Sequence, residues 1–139
     1  MTVDAGEGRG HTLIQSTLLG EAAELAPIGI FVTDETLAFI AANQFGCDMF
    51  GYEREALLHM RVSDVAVRSV SDLEDDYQRL LSDGSVEVES PARLADESIR
   101  PIRYRAYRTR VAGMDVFFGF ASFLDDAPIV VQPELGDES

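Results

Sequence analysis

The sequence predicts a single α+β domain, in which helices cover one face of an antiparallel β-sheet. Its 139 residues are enough for one hydrophobic core, which at this length removes roughly two thirds of the unfolded chain's surface from water. Apolar residues recur every three or four positions in some segments and alternate with polar residues in others, as helices and strands require. These segments follow one another as a helix, two strands, several helices and three strands.

An amphipathic N-terminal helix is predicted over residues 12–26. Thr12 and Gln15 have the spacing of a capping box, in which the two side chains satisfy free N–H groups of the first turn. Pro27 ends the helix because it disfavours helical geometry in the residue before it. The helix carries an apolar stripe formed by Ile14, Leu18, Ala22 and Leu25. Residues 1–11 are rich in glycine and polar side chains, so we expect a disordered leader there.

A hairpin and an Asn-capped helix are predicted next. Residues 29–33 and 37–41 are β-prone runs, joined by the polar residues 34–36. Asn43 is a favourable N-cap for a helix over 44–50. The hairpin therefore leads directly into the first of the central helices.

Two further helices complete the central part of the chain. Gly51 ends the preceding helix, and residues 53–58 predict another short one. Ser71 and Glu74 have the spacing of a second capping box, which predicts a longer helix that ends at Gly84.

Three longer runs with strand periodicity close the domain, at 86–89, 102–106 and 116–124. Their connections, at 95–98 and 112–113, are short, so an antiparallel meander is expected. The segment 126–139 contains two prolines and no apolar stripe, and we expect a flexible tail.

The charge of the chain excludes several classes of partner. It has 25 acidic and 11 basic residues and a net charge of −14, and every basic residue is arginine. Such a field repels nucleic acid and anionic lipid, so we expect neither nucleic-acid nor membrane binding. The sequence has no apolar run of membrane-spanning length and no signal peptide. Its one cysteine, Cys47, has no intramolecular partner, which is consistent with a reducing compartment. A cytoplasmic location is therefore expected.

The order and the turn positions of these segments resemble a PAS domain. The hairpin GIFVTDETLAFIAANQ, the Asn43 cap and the Gly51-Tyr52 pair are typical of that family. The closing segment RPIRYRAYRTRVAGMDVFFGFASFLDD resembles its last hairpin, with Gly113 in the turn. The resemblance covers about residues 20–126, and the PAS domain proper is placed at 27–125.

Two departures from the family pattern are visible. His59 stands where the family commonly has a glycine after the Leu-Leu pair. The turns at 34–36 and 95–98 also lack the usual glycine, so the strand ends are expected to shift by a residue or two.

The resemblance implies a five-stranded antiparallel sheet that curves around a pocket closed by helices. Members of the family sense small ligands, light, redox state or oxygen, or dimerise to pass on a signal. Flavin photosensors of this class use a cysteine soon after Leu57-Leu58, but the residues at 60–64 include none. Heme-binding relatives use a histidine on the long helix, whereas His11 and His59 lie elsewhere. Neither covalent flavin nor heme is therefore expected, and no metal site, while a non-covalent small molecule stays open.

Three functions follow from the resemblance and the residues. The first is a non-enzymatic sensory and interaction module that dimerises and relays a signal to a partner protein. The second is a sensor with an apolar or aromatic ligand in its core, which a cavity above about 300 Å³ would favour. The third is a small cone-fold enzyme that uses Asp48 or Asp64 with a tyrosine, which a buried carboxylate facing the cavity would favour.

Aromatic and apolar residues supply the candidate sites. The candidate ligand-binding residues are Phe45, Met49, Tyr77, Tyr104, Phe118 and Phe120. Alternation along the last strand places Phe118 and Phe120 on one face and Phe117 and Phe123 on the other. The sequence leaves open which pair meets the helices. The interface hypothesis takes the second pair together with the helix stripe, which gives Ile14, Leu18, Leu25, Phe117 and Phe123.

Overall fold

The computed structural model describes residues 5–125 and residue 129, with side chains from residue 12 onward. Its strands are β1 (Gly29–Thr33), β2 (Phe39–Ala42), β3 (Ser85–Arg93), β4 (Ile99–Val111) and β5 (Met114–Phe123). Its helices are α1 (Ala5–Leu25), α2 (Gln44–Phe50), α3 (Arg54–Leu57), α4 (Val62–Val65) and α5 (Val70–Asp83). The strands form one antiparallel sheet in the order β2-β1-β5-β4-β3. The predicted fold class is therefore confirmed.

Several boundaries differ from the predicted ones. Helix α1 begins at Ala5, ahead of the expected cap at Thr12, so it overlaps the segment predicted as a leader. Helix α5 is capped by Ser69 and not by Ser71: Ser69 has extended backbone geometry, and its hydroxyl accepts a hydrogen bond from the Asp72 N–H at 3.0 Å. The predicted tail, 126–139, lies outside the described residues except for Ile129, which packs against the core. None of the described helices is long and apolar enough to cross a membrane.

Aspartates replace glycine in the two hairpin turns that lack it. The Asp34 carboxylate accepts hydrogen bonds from the N–H groups of Thr36 at 2.8 Å and Ala38 at 3.1 Å. The bond from the Thr36 hydroxyl lowers the pKa of Asp34. In each turn one non-glycine residue has a positive φ angle: Leu37 has 64° and Glu97 has 70°. The aspartate side chain stabilises a turn that glycine would otherwise provide.

The inner face of the sheet, which packs against the helices, carries the core. Val86, Val88, Ala92, Ile102, Ala106, Phe117 and Ala121 lie on it and are buried. Phe117 is only 2% exposed, and its neighbour Phe118 is 39% exposed on the opposite, outer face. Ring contact with Tyr107, at 6.0 Å between centroids, places Phe120 on the outer face as well. The two faces of β5 are therefore exchanged relative to the sequence assignment.

The Asn43 side chain connects the sheet, α2 and the end of α1. Its Oδ1 accepts hydrogen bonds from the N–H groups of Ile30 and Gly46, both at 2.9 Å. Its Nδ2 donates to the carbonyls of Ala23 at 2.7 Å and Ile28 at 2.9 Å. An asparagine amide has two acceptor lone pairs and two donor hydrogens, and all four are used here. The predicted N-cap of α2 is thus also the junction of three chain segments.

We expect Asn43→Ala to lower the free energy of unfolding by roughly 2–4 kcal/mol, because the helix cap and the partners of several buried backbone groups are lost together. Urea denaturation measures the change. Gln44→Ala is the control: among the described residues this exposed side chain bonds Asp48 alone, one turn along α2, and a loss below about 0.5 kcal/mol is expected. A loss below about 1 kcal/mol for Asn43→Ala would show that the junction is not structurally important.

The burial of β5 predicts opposite results for two adjacent phenylalanines. Phe117→Ala should destabilise the fold by roughly 3–5 kcal/mol, and Phe118→Ala by less than about 1 kcal/mol. Chemical denaturation at low protein concentration, where contacts between copies do not contribute, measures both. Similar losses for the two variants would contradict the assignment of the faces.

Candidate functional site

A cavity of about 90 Å³ lies between the inner face of the sheet and helices α4 and α5. Side chains small enough to leave this space line the sheet side, namely Ala92, Ala106, Gly119 and Ala121. Larger apolar side chains close the rest of the wall, among them Phe31, Leu80, Ile102 and Phe117. The volume is well below the roughly 300 Å³ typical of sites for drug-sized ligands.

One part of the cavity wall is polar and charged. Asp76 on α5 is 3% exposed, and Thr33 and Ser90 are also buried. Asp76 Oδ1 accepts hydrogen bonds from Arg79 at 2.8 Å and from Arg68 Nη2 at 3.2 Å. Arg68 Nε is 2.9 Å from Asp76 Oδ2, but the two are poorly aligned, and neither atom has a hydrogen-bond partner among the described residues. The cavity therefore borders a buried ion pair that is only partly satisfied.

The two tyrosines assigned to ligand binding both line this cavity. Tyr77 uses its hydroxyl to donate to the carbonyl of Glu35 at 3.2 Å, and its ring packs edge-on against Phe117 at 5.8 Å. Burial, and then the negative charge of Asp76, raise the pKa of Tyr104. Tyr104 therefore stays a neutral phenol. The hydrogen bond from the Tyr77 hydroxyl holds the turn between β1 and β2.

The other predicted ligand-binding residues are placed differently. Phe45 packs against the core and Met49 is buried within it, but neither lines the cavity. Phe118 lies on the outer face, so its assignment to the core is wrong. Phe120 contributes to the cavity wall, although its ring lies on the outer face. Alternation gives only the relative orientation of neighbouring side chains along β5. The small residues Gly119 and Ala121 were the sequence signal that their face, with Phe117, is the one that packs against the helices.

The candidate acid and base residues do not meet at the cavity. Asp48 accepts a hydrogen bond from the Gln44 side chain on the surface of α2. Asp64 accepts one from the Arg61 N–H at the start of α4. Asp76, which sequence reasoning missed, is the buried carboxylate among the described residues. It lies within an acidic run at the start of α5, and such a run predicts solvent-exposed carboxylates at the end of a helix.

The residues associated with cofactor chemistry, Cys47 and His59, do not line the cavity. Cys47 is 1% exposed within the core, and burial raises the pKa of its thiol. The His59 ring lies 2.8 Å from the Glu55 carbonyl on the surface near α3. Within the described part of the chain, no three His, Cys, Asp or Glu residues are grouped to hold a metal ion.

The outer face of the sheet combines exposed aromatic rings with paired charges. Tyr107 and Phe118 are each 39% exposed, and Phe118 pairs in register with Val32 of β1. Cross-strand ion pairs border the rings, between Arg103 and Glu89 at 2.7 Å and between Arg105 and Glu87 at 2.9 Å. The outer face is thus apolar along β1 and β5 and charge-paired along β3 and β4.

Among the α1 side chains that the structure describes, from residue 12 onward, those that bond the rest of the domain lie at the C-terminal end. Glu24 accepts a hydrogen bond from the Gln44 N–H at 2.8 Å and pairs with Arg54. Ile14, Leu18 and Leu25 are 61%, 62% and 80% exposed, so their stripe does not cover the chain's own sheet.

The two phenylalanines assigned to the dimer interface with that stripe lie on the inner face instead. Phe117 is buried in the core. Phe123 is partly buried against the core, with the Arg100 guanidinium 3.5 Å from its ring centroid. They were placed on the outer face because sequence alternation does not say which side of a strand the helices cover.

Solved structures share this architecture. A PAS domain of an HTR-like protein from Haloarcula marismortui aligns with a TM-score of 0.71 and 20% identity, over 85% of this chain and 99% of that chain. A domain of a sensory box sensor histidine kinase/response regulator from Geobacter sulfurreducens aligns with a TM-score of 0.68 and 20% identity, over 79% and 95%. A PAS domain of a LuxR-family transcriptional regulator from Burkholderia thailandensis, in complex with ethanol, aligns with a TM-score of 0.62 and 18% identity, over 76% and 96%.

Sequence comparison agrees with these alignments. No curated protein has significant sequence similarity to the chain. The family described as "PAS domain" matches residues 17–88, which is more than half of the chain and includes the end of α1, the first hairpin and all the central helices. Together with the sheet order and the cavity beneath α5, this match shows that the chain belongs to the PAS domain family of sensory and signalling modules.

Proposed function

We propose that this PAS domain is a non-enzymatic module that forms a homodimer through α1 and the outer face of the sheet, and relays a signal to a partner protein. The observation that carries the proposal is the presence of two uncovered apolar surfaces on one chain. The stripe of Ile14, Leu18 and Leu25 is exposed, and so are Tyr107 and Phe118 on the sheet. Contiguous exposed apolar surface of this kind typically marks an interaction site.

A second copy of the chain is the occupant that fits both surfaces. In a symmetric dimer each helix would cover the partner's sheet, so both surfaces would be buried by one twofold operation. The charges on the outer face are already paired between strands, so placing an apolar helix there leaves no isolated charge. An acidic chain with a net charge of −14 favours such a neutral contact over binding to nucleic acid or lipid.

The attachment of α1 supports a relay from the domain interior. Its last turn is bonded to Asn43 through the Ala23 carbonyl and to α2 and α3 through Glu24. Asn43 also bonds the backbone of Ile30, next to Phe31 in the cavity wall. A shift of β1 at the cavity therefore has a short bonded route to the interface helix.

The residues that line the cavity support a non-enzymatic function. Among the described residues that line it there is no histidine, no cysteine and no carboxylate besides Asp76. Asp76 is a buried carboxylate of the kind that would favour the enzyme, but it is paired with Arg68 and Arg79, and burial raises the pKa of the neighbouring Tyr104, so neither group is set up as a free general base. Cys47 is a buried thiol without a disulfide, which supports the cytoplasmic location that we also propose.

Ligand sensing in the core is the second candidate function. The cavity of about 90 Å³ is too small for an aromatic ligand, since benzene occupies a cavity of about 150 Å³. The structurally similar Burkholderia thailandensis domain is described in complex with ethanol, which supports a much smaller ligand.

We expect Leu18→Asp to convert the dimer to a monomer, because it places a charge in the centre of the apolar contact. Sedimentation velocity at several concentrations measures the species. The matched control is Leu19→Asp, since Leu19 is 71% exposed but lies about 100° around the helix from Leu18 and outside the apolar stripe, and this variant should sediment as the wild type does. Sedimentation of Leu18→Asp that is indistinguishable from wild type would contradict the proposed interface.

A further inference from the structure

The exposed stripe of α1 carries one charged side chain among its apolar ones. Ile14, Leu18, Glu21 and Leu25 follow one another at spacings of four, three and four residues, which places them on the same face of the helix. Glu21 is exposed, and no hydrogen bond or ion pair joins it to another described residue. A helix that covers a partner's sheet with this face therefore brings a carboxylate into an apolar contact.

A carboxylate in that position needs a cation. Moving a charge out of water costs free energy unless an opposite charge and hydrogen-bond donors meet it. Its own α1 offers no arginine among the described side chains, so the cation has to come from the surface that receives the helix. The outer face of the sheet offers two, Arg103 and Arg105.

A groove on the outer face combines apolar and cationic side chains. Ile28 and Phe120 form its apolar part, and Arg103 and Arg105 contribute two guanidinium groups. Arg105 pairs in register with Phe120, whereas Arg103 pairs with Ser122. Arg105 is therefore the cation next to the aromatic rings, and Arg103 stands beside a polar side chain.

The Arg105 guanidinium is bonded within its own chain but can exchange its partner. Its Nη2 donates to Glu87 at 2.9 Å, and its Nη1 donates to the Tyr107 hydroxyl at 3.3 Å. The Arg105 side chain is 52% exposed and that of Glu87 is 47% exposed. A pair this exposed contributes little to stability, so Glu87 can turn to water when another carboxylate binds Arg105.

We propose that Glu21 of one copy forms an ion pair with the partner's Arg105 and takes the place of Glu87 there. This contact fixes the position of α1 along the partner's sheet, and in a dimer with twofold symmetry it forms twice. The Glu87–Arg105 pair within each chain then competes with dimerisation. The inference rests on the proposed homodimer and names the polar contact that aligns it.

Two variants that remove the same charge should shift the dissociation constant of the dimer in opposite directions. Glu21→Gln should raise it about tenfold, because two intermolecular ion pairs are lost. Glu87→Gln should lower it about threefold, because Arg105 no longer has a competing partner. Sedimentation equilibrium at several concentrations measures both constants.

The pair of variants also controls for the net charge of the chain. Each removes one negative charge, so weaker repulsion between two acidic chains would tighten both dimers alike. A dissociation constant of Glu21→Gln within about threefold of wild type, or one of Glu87→Gln that is not lowered, would overturn the proposed exchange.

A double-mutant cycle identifies the arginine. In an Arg105→Gln background, Glu21→Gln should have no further effect on the dissociation constant, because its partner is already absent. Arg103→Gln is the matched control, and in that background Glu21→Gln should still raise the constant about tenfold. The opposite result would assign the contact to Arg103 and overturn the proposal.

The dimer and this contact can fail separately. If Leu18→Asp sediments as the wild type does, the proposed interface is wrong and the ion pair with it. If Leu18→Asp is monomeric but the cycle shows no coupling between Glu21 and Arg105, the ion pair alone is refuted.

Discussion

The four hydrogen bonds of the Asn43 side chain are the constraint on which the rest of the structure depends. They hold the end of α1, the residues before β1, β1 itself and the start of α2 in one place. Helix α2 then lies so close to β1 that a Cβ atom on Gly46 would be 2.7 Å from the Phe31 ring. A glycine at this position is therefore required by the approach of the two elements.

The position of Phe31 in turn defines the cavity. Its ring packs against Phe39 at 5.7 Å and Phe50 at 5.4 Å, and these three rings form part of the wall. On the opposite side of the cavity, β3, β4 and β5 carry alanine and glycine, and these small residues leave the space unfilled. A space remains where larger residues would have filled the core, and the Arg68–Asp76 pair lies along it. One polar junction outside the cavity thus positions both the cavity wall and the helix that we propose forms the interface.

Much of the fold could be predicted because its signals are local. The cap at Asn43, the left-handed Gly51 and the alternation in β3 to β5 depend on a few neighbouring residues each, and the structure has them all. The faces of β5 were assigned wrongly because alternation relates Phe117 to Phe118 without saying which one meets the helices. The spacing of Ser71 and Glu74 predicts the cap of α5 at Ser71, but the extended backbone that an N-cap needs occurs at Ser69, and the sequence does not display backbone geometry.

The charged part of the candidate site was missed for a different reason. Arg68 precedes α5 and Asp76 lies on its buried side, so the pair forms only when the helix packs on the sheet. In the sequence, Asp76 is the last of a run of acidic residues that suits the start of a solvated helix. Tyr77 and Tyr104 were found because long aromatic side chains with a polar end commonly border pockets.

Paramagnetic relaxation in a mixed sample tests the proposed dimer, in which α1 of one copy covers the outer face of the other. A nitroxide on Ser16→Cys, in an unlabelled Cys47→Ala chain, is mixed with ¹⁵N-labelled wild-type chains, so that only contacts between copies broaden signals. Selective broadening is expected at the amides of Tyr107, Phe118 and Phe120. Unchanged signals there at concentrations where the protein is dimeric would contradict it, and would place the interface elsewhere.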